Sequence, residues 1–392
     1  MSASRPLRIA ILAHSTNPRG GVVHALELGD ALTRLGHEAV VHAPDAKSAG
    51  FFRPTLCGTV SVPASPVGAD VTEMVRIRAA DYIRHFEMPA RRRFDVFHAQ
   101  DGISGNALAT LRERGLISGF ARTVHHVDAF RDPALLELQR RAIIAADRHF
   151  VVSQLWKTQL AQMFGLAAEM VGNGVDTRRF TPVLDGREVD LARRLGLGAG
   201  PVVLSVGGVE PRKNTQAMLE AFLQLRALHP HAQFVIAGGA SVLDHQAYQE
   251  QFDATLAASG LPADAVIRTG ALAQADMPAL YRLADVLAFA SLNEGFGLVA
   301  LEAMACGIPT VVSRIAPFTE HIGEAEAVWC DPLNPSSIAN ALAAALTPGL
   351  AGRLAAQGSA VAARHDWMAT ARAHLPAYRA LAAAALTETT HA

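Results

Sequence analysis

Residues 294–313 read EGFGLVALEAMACGIPTVVS, and this stretch decides the architecture. Leu298–Ala305 has the apolar spacing of a helix, and Pro309–Val312 is a short β-branched run of strand type. Upstream, Asp285–Ala288 reads as another strand, and Gly295 and Gly297 mark the loop that joins it to the helix. A strand, a crossover helix and a second strand make the repeating unit of a parallel sheet.

The same alternation continues outward. Val202–Val206, Ala232–Ala237, Ala265–Arg268 and Ala327–Cys330 complete one set of strands, with Asn214–Leu228 as a further helix between them. Nearer the N-terminus, Leu7–Ala13, Glu38–Ala43, Asp95–His98, Ala121–Val124 and His149–Val152 read as a second set. Helical spacing at His24–Leu35, Gly105–Arg114, Pro133–Ala146 and Gln154–Phe164 separates them. Between the sets, Thr181–Glu188 (TPVLDGRE) carries Pro, Gly and charge without periodicity, which marks a boundary. The expected class is α/β, with doubly wound domains at 1–184 and 185–366. A C-terminal helix in 367–392 is free to pack back on the first domain. A length of 392 residues favours two domains over one.

Composition excludes several functions. Half of the residues are hydrophobic, 18% are charged and the formal net charge is -1, so a large core can form and nothing recommends nucleic acid as a partner. Cys57, Cys306 and Cys330 are scattered and form no CxxC pair, which argues against a disulfide framework or zinc knuckle and suits a reducing compartment. Leu7–Ala13 has a strand's length and no cleavage pattern after it, so it is not read as a signal peptide. No run approaches the roughly 18 apolar residues of a spanning helix. The expected location is cytoplasmic. Attachment to the inner face of a membrane stays open, because Arg91–Arg92–Arg93 is a basic run, although three charges alone suit a solvated face better.

Tandem doubly wound sheets place ligands at the carboxyl ends of their strands, so chemistry is sought in the loops there. A helix starting near Gly297 has unpaired first amides at the positive end of its dipole, so a phosphate can bind there, and Gly295 and Gly297 allow close backbone approach. Glu294 precedes that helix and Glu302 lies two turns inside it. A carboxylate accepts from two hydroxyls at once and so suits a sugar or ribose diol. The plain alternatives are a helix-capping acid and a solvated helix residue.

Gly207–Asn214 (GGVEPRKN) follows another strand. Cations at a helix start are unfavourable by the dipole rule, so Arg212 and Lys213 there point to an anionic ligand such as a leaving diphosphate. Pro18–His24 (PRGGVVH) places Gly21 in a tight turn after the first strand, and Thr123–His126 (TVHH) places His125 just past another strand end. A histidine alone is more often structural.

The whole string at 294–313 resembles the signature of the retaining glycosyltransferases of family 4, which have the GT-B fold of two Rossmann-like domains facing each other across a cleft. The resemblance spans nearly the whole chain and is specific in four places. It implies a hexose-type transfer from a nucleotide diphosphate sugar to a hydroxyl acceptor, with retained anomeric configuration and no metal or other cofactor. It implies that Glu294 and His125 contact the transferred sugar, that the Gly295–Leu298 amides hold the diphosphate, that Glu302 holds the ribose, and that Gly21 lies near donor phosphate and acceptor. The base would sit near Arg268–Leu272, with a uridine diphosphate sugar as first choice, and a departing diphosphate oxygen would take the acceptor proton. The family arginine after the first glycine is replaced here by Gly208, which leaves open whether Arg212 stands in for it. Membrane-peripheral members of the family use basic surfaces.

Rival readings are a nucleotide-sugar epimerase or sugar phosphorylase of the same fold, a nicotinamide dehydrogenase and a sugar-binding protein without catalysis. The dehydrogenase lacks its G-x-G-x-x-G after the first strand, although Asp45 is placed for a ribose contact.

Overall fold

The apolar runs form two wholly parallel sheets in the computed structural model, which describes residues 5–239 and 245–389. The first sheet contains β1 (Arg8–Leu12), β2 (Glu38–Asp45), β3 (Gly58–Pro63), β4 (Val96–Ala99), β5 (Ala121–Val124), β6 (Arg148–Val151) and β7 (Glu169–Met170) in the order β3-β2-β1-β4-β5-β6-β7. The second contains β8 (Val202–Val206), β9 (Gln233–Ala237), β10 (Val266–Gly270), β11 (Val286–Phe289), β12 (Thr310–Ser313) and β13 (Val328–Cys330) in the order β10-β9-β8-β11-β12-β13. The α/β doubly wound reading therefore holds for both halves.

Each sheet is wound in two directions from its middle. Ile9 pairs with Ala39 on one side and Val96 on the other, and Leu204 pairs with Val235 and Leu287. Loops leaving β1 and β4, or β8 and β11, turn to opposite faces of their sheet, and the divergence leaves a crevice at the carboxyl ends. Those loops carry most of the candidate residues.

The chain divides into two compact units, one made of the residues up to Asn173 and those from Trp367 onward, the other of Gly174–Asp366. Thr181–Glu188 lies inside the second unit, where Arg282 pairs with Asp185 at 3.0 Å and Glu188 at 2.6 Å. Helix Trp367–Thr389 packs on helix Gly20–Arg34 in the first unit. Its Tyr378 and His374 meet Phe150 of β6 there.

Local chemistry explains the helix ends. Asp101 accepts from the Ser104 amide, and Ser104 returns the bond, which caps helix Gly102–Glu113. Ser153 caps helix Gln154–Phe164, and Gly165 ends it in a left-handed conformation. Helix Gly20–Arg34 starts earlier than the apolar spacing at His24 predicts. Gly20 and Gly21 form its first turn after an extended Arg19, so they open the helix instead of a loop before it.

Each unit buries its own aromatic core. Tyr82, Phe86, Phe97 and Phe120 fill the first, and Phe222, Phe234 and Phe252 the second. Full burial of one such ring contributes roughly 1.5–3 kcal/mol. The three cysteines are buried, and burial pushes each thiol pKa up to about 12, which keeps them protonated and inert. Among the described residues no helix is long and apolar enough to cross a membrane.

Candidate functional site

In the second unit the loops after β8 and β11 meet. The chain leaves β8 through Gly207, tightens into a 3-10 turn at Pro211–Lys213, and passes through a left-handed Asn214 into helix Thr215–Arg226. Asn214 Nδ2 donates to Ala290 O at 3.0 Å and Pro332 O at 2.6 Å, which latches this turn to the ends of β11 and β13. Leu292 N donates to Arg212 O at 2.9 Å from the other side. These ties fix the turn that carries the two cations.

Lys213 runs back over Gly207, where a Cβ would stand 2.6 Å from the lysine Cε. Its ammonium lies 4.8 Å from the Phe289 ring centre and donates to Glu294 Oε1 at 2.7 Å. Arg212 Nη1 reaches the same oxygen at 2.9 Å. The Arg212 side chain is 39% exposed, whereas Lys213 and Glu294 are 10% and 9% exposed, so the arginine stands at the mouth and the other two beneath it. Burial pulls the Lys213 ammonium below the usual lysine range, and Glu294 partly offsets this. Burial raises the Glu294 pKa, but Lys213 and Arg212 outweigh it and hold the carboxyl below its usual value. Glu210, buried beside them, lies 3.9 Å from Arg212 Nη2, so two cations and two carboxylates balance in formal charge and the cations stand ready to exchange a carboxylate for a ligand anion.

Gly297 precedes helix Leu298–Ala305 with a left-handed φ of 101° and supplies no side-chain cap to the first amides. A Cβ on Gly297 would lie 2.5 Å from Phe318, so only glycine fits. The Phe296 ring is buried and stacks flat on His321 at 4.2 Å, so its side chain anchors the loop and only its backbone can serve a ligand. Gly295 and Leu298 are half-buried in the same loop. Glu302 is also half-buried, and its Oε2 accepts from the Tyr281 hydroxyl at 2.7 Å. It is therefore neither a capping nor a freely solvated acid.

The first unit gathers a different set. His125 follows β5, and its Nε2 lies 3.0 Å from Gln100 Oε1 beyond β4. His24, in the helix that Gly21 helps to open, meets His125 edge-on at 4.8 Å, and a Cβ on Gly21 would sit 3.7 Å from the His125 ring. Burial, followed by the positive potential of His24 and Arg122, holds His125 well below the usual histidine range and therefore neutral. His126 is exposed and pairs with Asp128 at 3.3 Å. Asp45, the ribose candidate of the dehydrogenase reading, accepts from the amides of Lys47, Ala49 and Gly50 and from Ser61, so its own loop uses it.

The structure thus joins Arg212, Lys213 and Glu294 in one unit and Gly21 with His125 in the other. Sequence reasoning did not single out Tyr281, Gln100 or the Asn214 latch. Each acts through a contact distant in sequence, and no local pattern announces it. Among the described residues no three His, Cys, Asp or Glu side chains gather as a metal-ligand set. A hollow of about 290 Å³ beside β3, lined in part by Ser65, Arg84, His85 and Arg91, contains none of the candidate residues.

Residues 192–358 match the family described as glycosyl transferases group 1, and residues 18–179 match glycosyltransferase family 4. A D-inositol 3-phosphate glycosyltransferase of Acidothermus cellulolyticus is 32% identical over 73% of this chain and 67% of that protein. Sucrose-phosphate synthase of Thermosynechococcus elongatus superposes with a TM-score of 0.79 at 22% identity, over 97% of this chain and all (100%) of that one. Anabaena HepE in complex with UDP-glucose superposes with a TM-score of 0.76 at 18% identity, over 95% of this chain and 100% of that one.

Proposed function

Because the chain belongs to the glycosyltransferases of family 4, with their GT-B fold, we propose that it moves a hexose-type sugar from a nucleotide diphosphate donor to a hydroxyl acceptor, without a metal and with retention at the anomeric carbon. The observation that carries this reading is the convergence of Arg212 and Lys213 on Glu294 at the carboxyl ends of β8 and β11.

In this reading the donor diphosphate lies on Arg212, Lys213 and the amides at Gly295–Leu298. The two cations stabilise charge most as the bond between the anomeric carbon and the diphosphate oxygen breaks. Glu294, kept ionised by the same cations, lies beside the reacting carbon, and Glu302, oriented by Tyr281, holds the ribose hydroxyls. The acceptor oxygen forms its bond to the anomeric carbon on the face the diphosphate leaves. Its proton passes to a diphosphate oxygen, giving a glycoside and a nucleoside diphosphate. His125, within the first unit, is a neutral ring that can pair with a hydroxyl. We take a uridine diphosphate sugar as the first choice of donor.

Replacing Arg212 and Lys213 together by alanine tests the reading. Donor turnover should vanish while the circular dichroism spectrum and cooperative melting persist. Near-normal turnover would remove the diphosphate assignment. Transfer to an alcohol rather than to water or phosphate separates this reading from an epimerase or phosphorylase.

A further inference from the structure

We infer that Gln100 is a positioning residue that keeps the His125 proton on Nε2 and so leaves Nδ1 as an acceptor for a sugar hydroxyl; the last clause rests on the sugar-transfer reading above. Gln100 is 2% exposed and stands just beyond β4, with Oε1 at 3.0 Å from His125 Nε2. A carbonyl oxygen can only accept, so the ring nitrogen facing it must carry the hydrogen. In a neutral imidazole the other nitrogen then has a lone pair.

The direction of the Gln100 amide decides this, and its other neighbour sets that direction. Gln100 Nε2 lies 3.3 Å from both ring nitrogens of His98. Those nitrogens already have partners, Thr123 Oγ1 at 2.8 Å and the Tyr378 hydroxyl at 2.7 Å. Burial, reinforced by His374, His24, Arg122 and His125, keeps the His98 ring neutral. Turning the amide over would set its oxygen against an electron-rich ring, whereas the observed direction offers that ring the NH2 group. Tyr378 comes from helix Trp367–Thr389, so the chain His125, Gln100, His98, Tyr378 is closed by the C-terminal helix.

The titratable groups that act most strongly on His125 oppose its protonation. His24 approaches from helix Gly20–Arg34, Arg122 from β5, His126 from the next position and His14 from beyond β1. The His24 contact restricts the ring, and its half-exposure leaves it reachable. A neutral ring with a fixed acceptor nitrogen selects a hydroxyl, which donates, over a carboxylate, which does not.

Two substitutions of Gln100 and two readouts test this in the full-length protein. Long-range proton–nitrogen NMR of histidine-labelled protein, with the signal assigned through His125→Phe, reports which ring nitrogen carries the hydrogen. The wild type should show hydrogen on Nε2, Gln100→Leu a mixture of tautomers, and Gln100→Glu a ring protonated on both nitrogens at neutral pH. Hydrogen on Nδ1 in the wild type, or an unchanged ring in both variants, overturns the inference. UDP-glucose turnover supplies the second readout. Gln100→Leu should lose roughly two- to tenfold, the weight of one hydrogen bond. In Gln100→Glu the new carboxylate raises the His125 pKa, so turnover should be low below that pKa and return as pH rises past it. A Gln100→Glu pH profile that overlays the wild type overturns the inference. The NMR result decides the Gln100–His125 relation by itself, so wild-type protein inert to UDP-glucose counts against the donor reading alone.

Discussion

Lys213 and Glu294 are 81 positions apart, yet the lysine ammonium lies 2.7 Å from the glutamate Oε1. The pair exists because β8 and β11 are neighbours in the second sheet, so the loops that follow them open at one place. Arg212 shares the same oxygen from the exposed side and lies 3.9 Å from the Glu210 carboxylate.

Lys213→Met should lower kcat by about 10²–10³, the weight of one preorganised donor to transition-state charge. The variant should also unfold at lower urea. The loss should stay below the roughly 3–5 kcal/mol of a fully broken buried pair, because Arg212 still faces Glu294. Steady-state kinetics and urea melts check both parts.

Glu294→Gln should remove a pH-dependent part of stability. The folded pKa of Glu294 lies below its ordinary 4.5, so the stabilisation is complete above about that pH and fades as pH falls through the lower, folded value. Melting curves between pH 3 and 7 should show a wild-type advantage that shrinks toward acid. An advantage that grows toward acid contradicts the sign.

Gly297→Ala meets both a φ of 101° and the Phe318 ring. The strain should cost at least about 1 kcal/mol, or roughly 2–4 °C in melting temperature for a unit of this size. Affinity for UDP should fall with it, because the loop backbone must shift. Calorimetry on the two proteins separates a loss of binding from a loss of fold.

Tyr281→Phe deletes the hydroxyl that orients Glu302. If Glu302 holds the ribose, the donor KM should rise by about tenfold, the low end for a hydrogen bond to a charged group, with kcat nearly unchanged. A fall in kcat at constant KM would place Glu302 at the reacting carbon instead.

Much of the fold was legible because its strands are buried on both faces and so read as short apolar runs. Ala121–Val124, Val202–Val206, Gln154–Phe164 and Leu298–Ala305 have the bounds that the spacing predicts. β3 was not legible, since GTVSVP is an edge strand with mostly exposed side chains and no apolar run. β7 spans two exposed residues and carries no pattern. Helix Val71–Glu87 hides its apolar stripe among arginines and acids. Residues 181–188 look like a linker by composition, yet long-range ion pairs to Arg282 hold them inside the second unit. At the site, charge and glycine placement pointed to Arg212, Lys213, Glu294 and Gly297, whereas Tyr281, Asn214 and Gln100 needed the sheet order to bring them into contact.

On the proposed function, Arg212 and Lys213 receive a nucleotide diphosphate. Thermal shift of the wild type and of the Arg212→Ala, Lys213→Ala double variant with UDP, GDP and ADP tests it most directly. A ligand at about 100 times its Kd stabilises by about 2.7 kcal/mol, so at least one nucleotide should raise the wild-type melting temperature and leave the double variant unmoved. No rise with any of the three, or an equal rise in both proteins, would contradict the account.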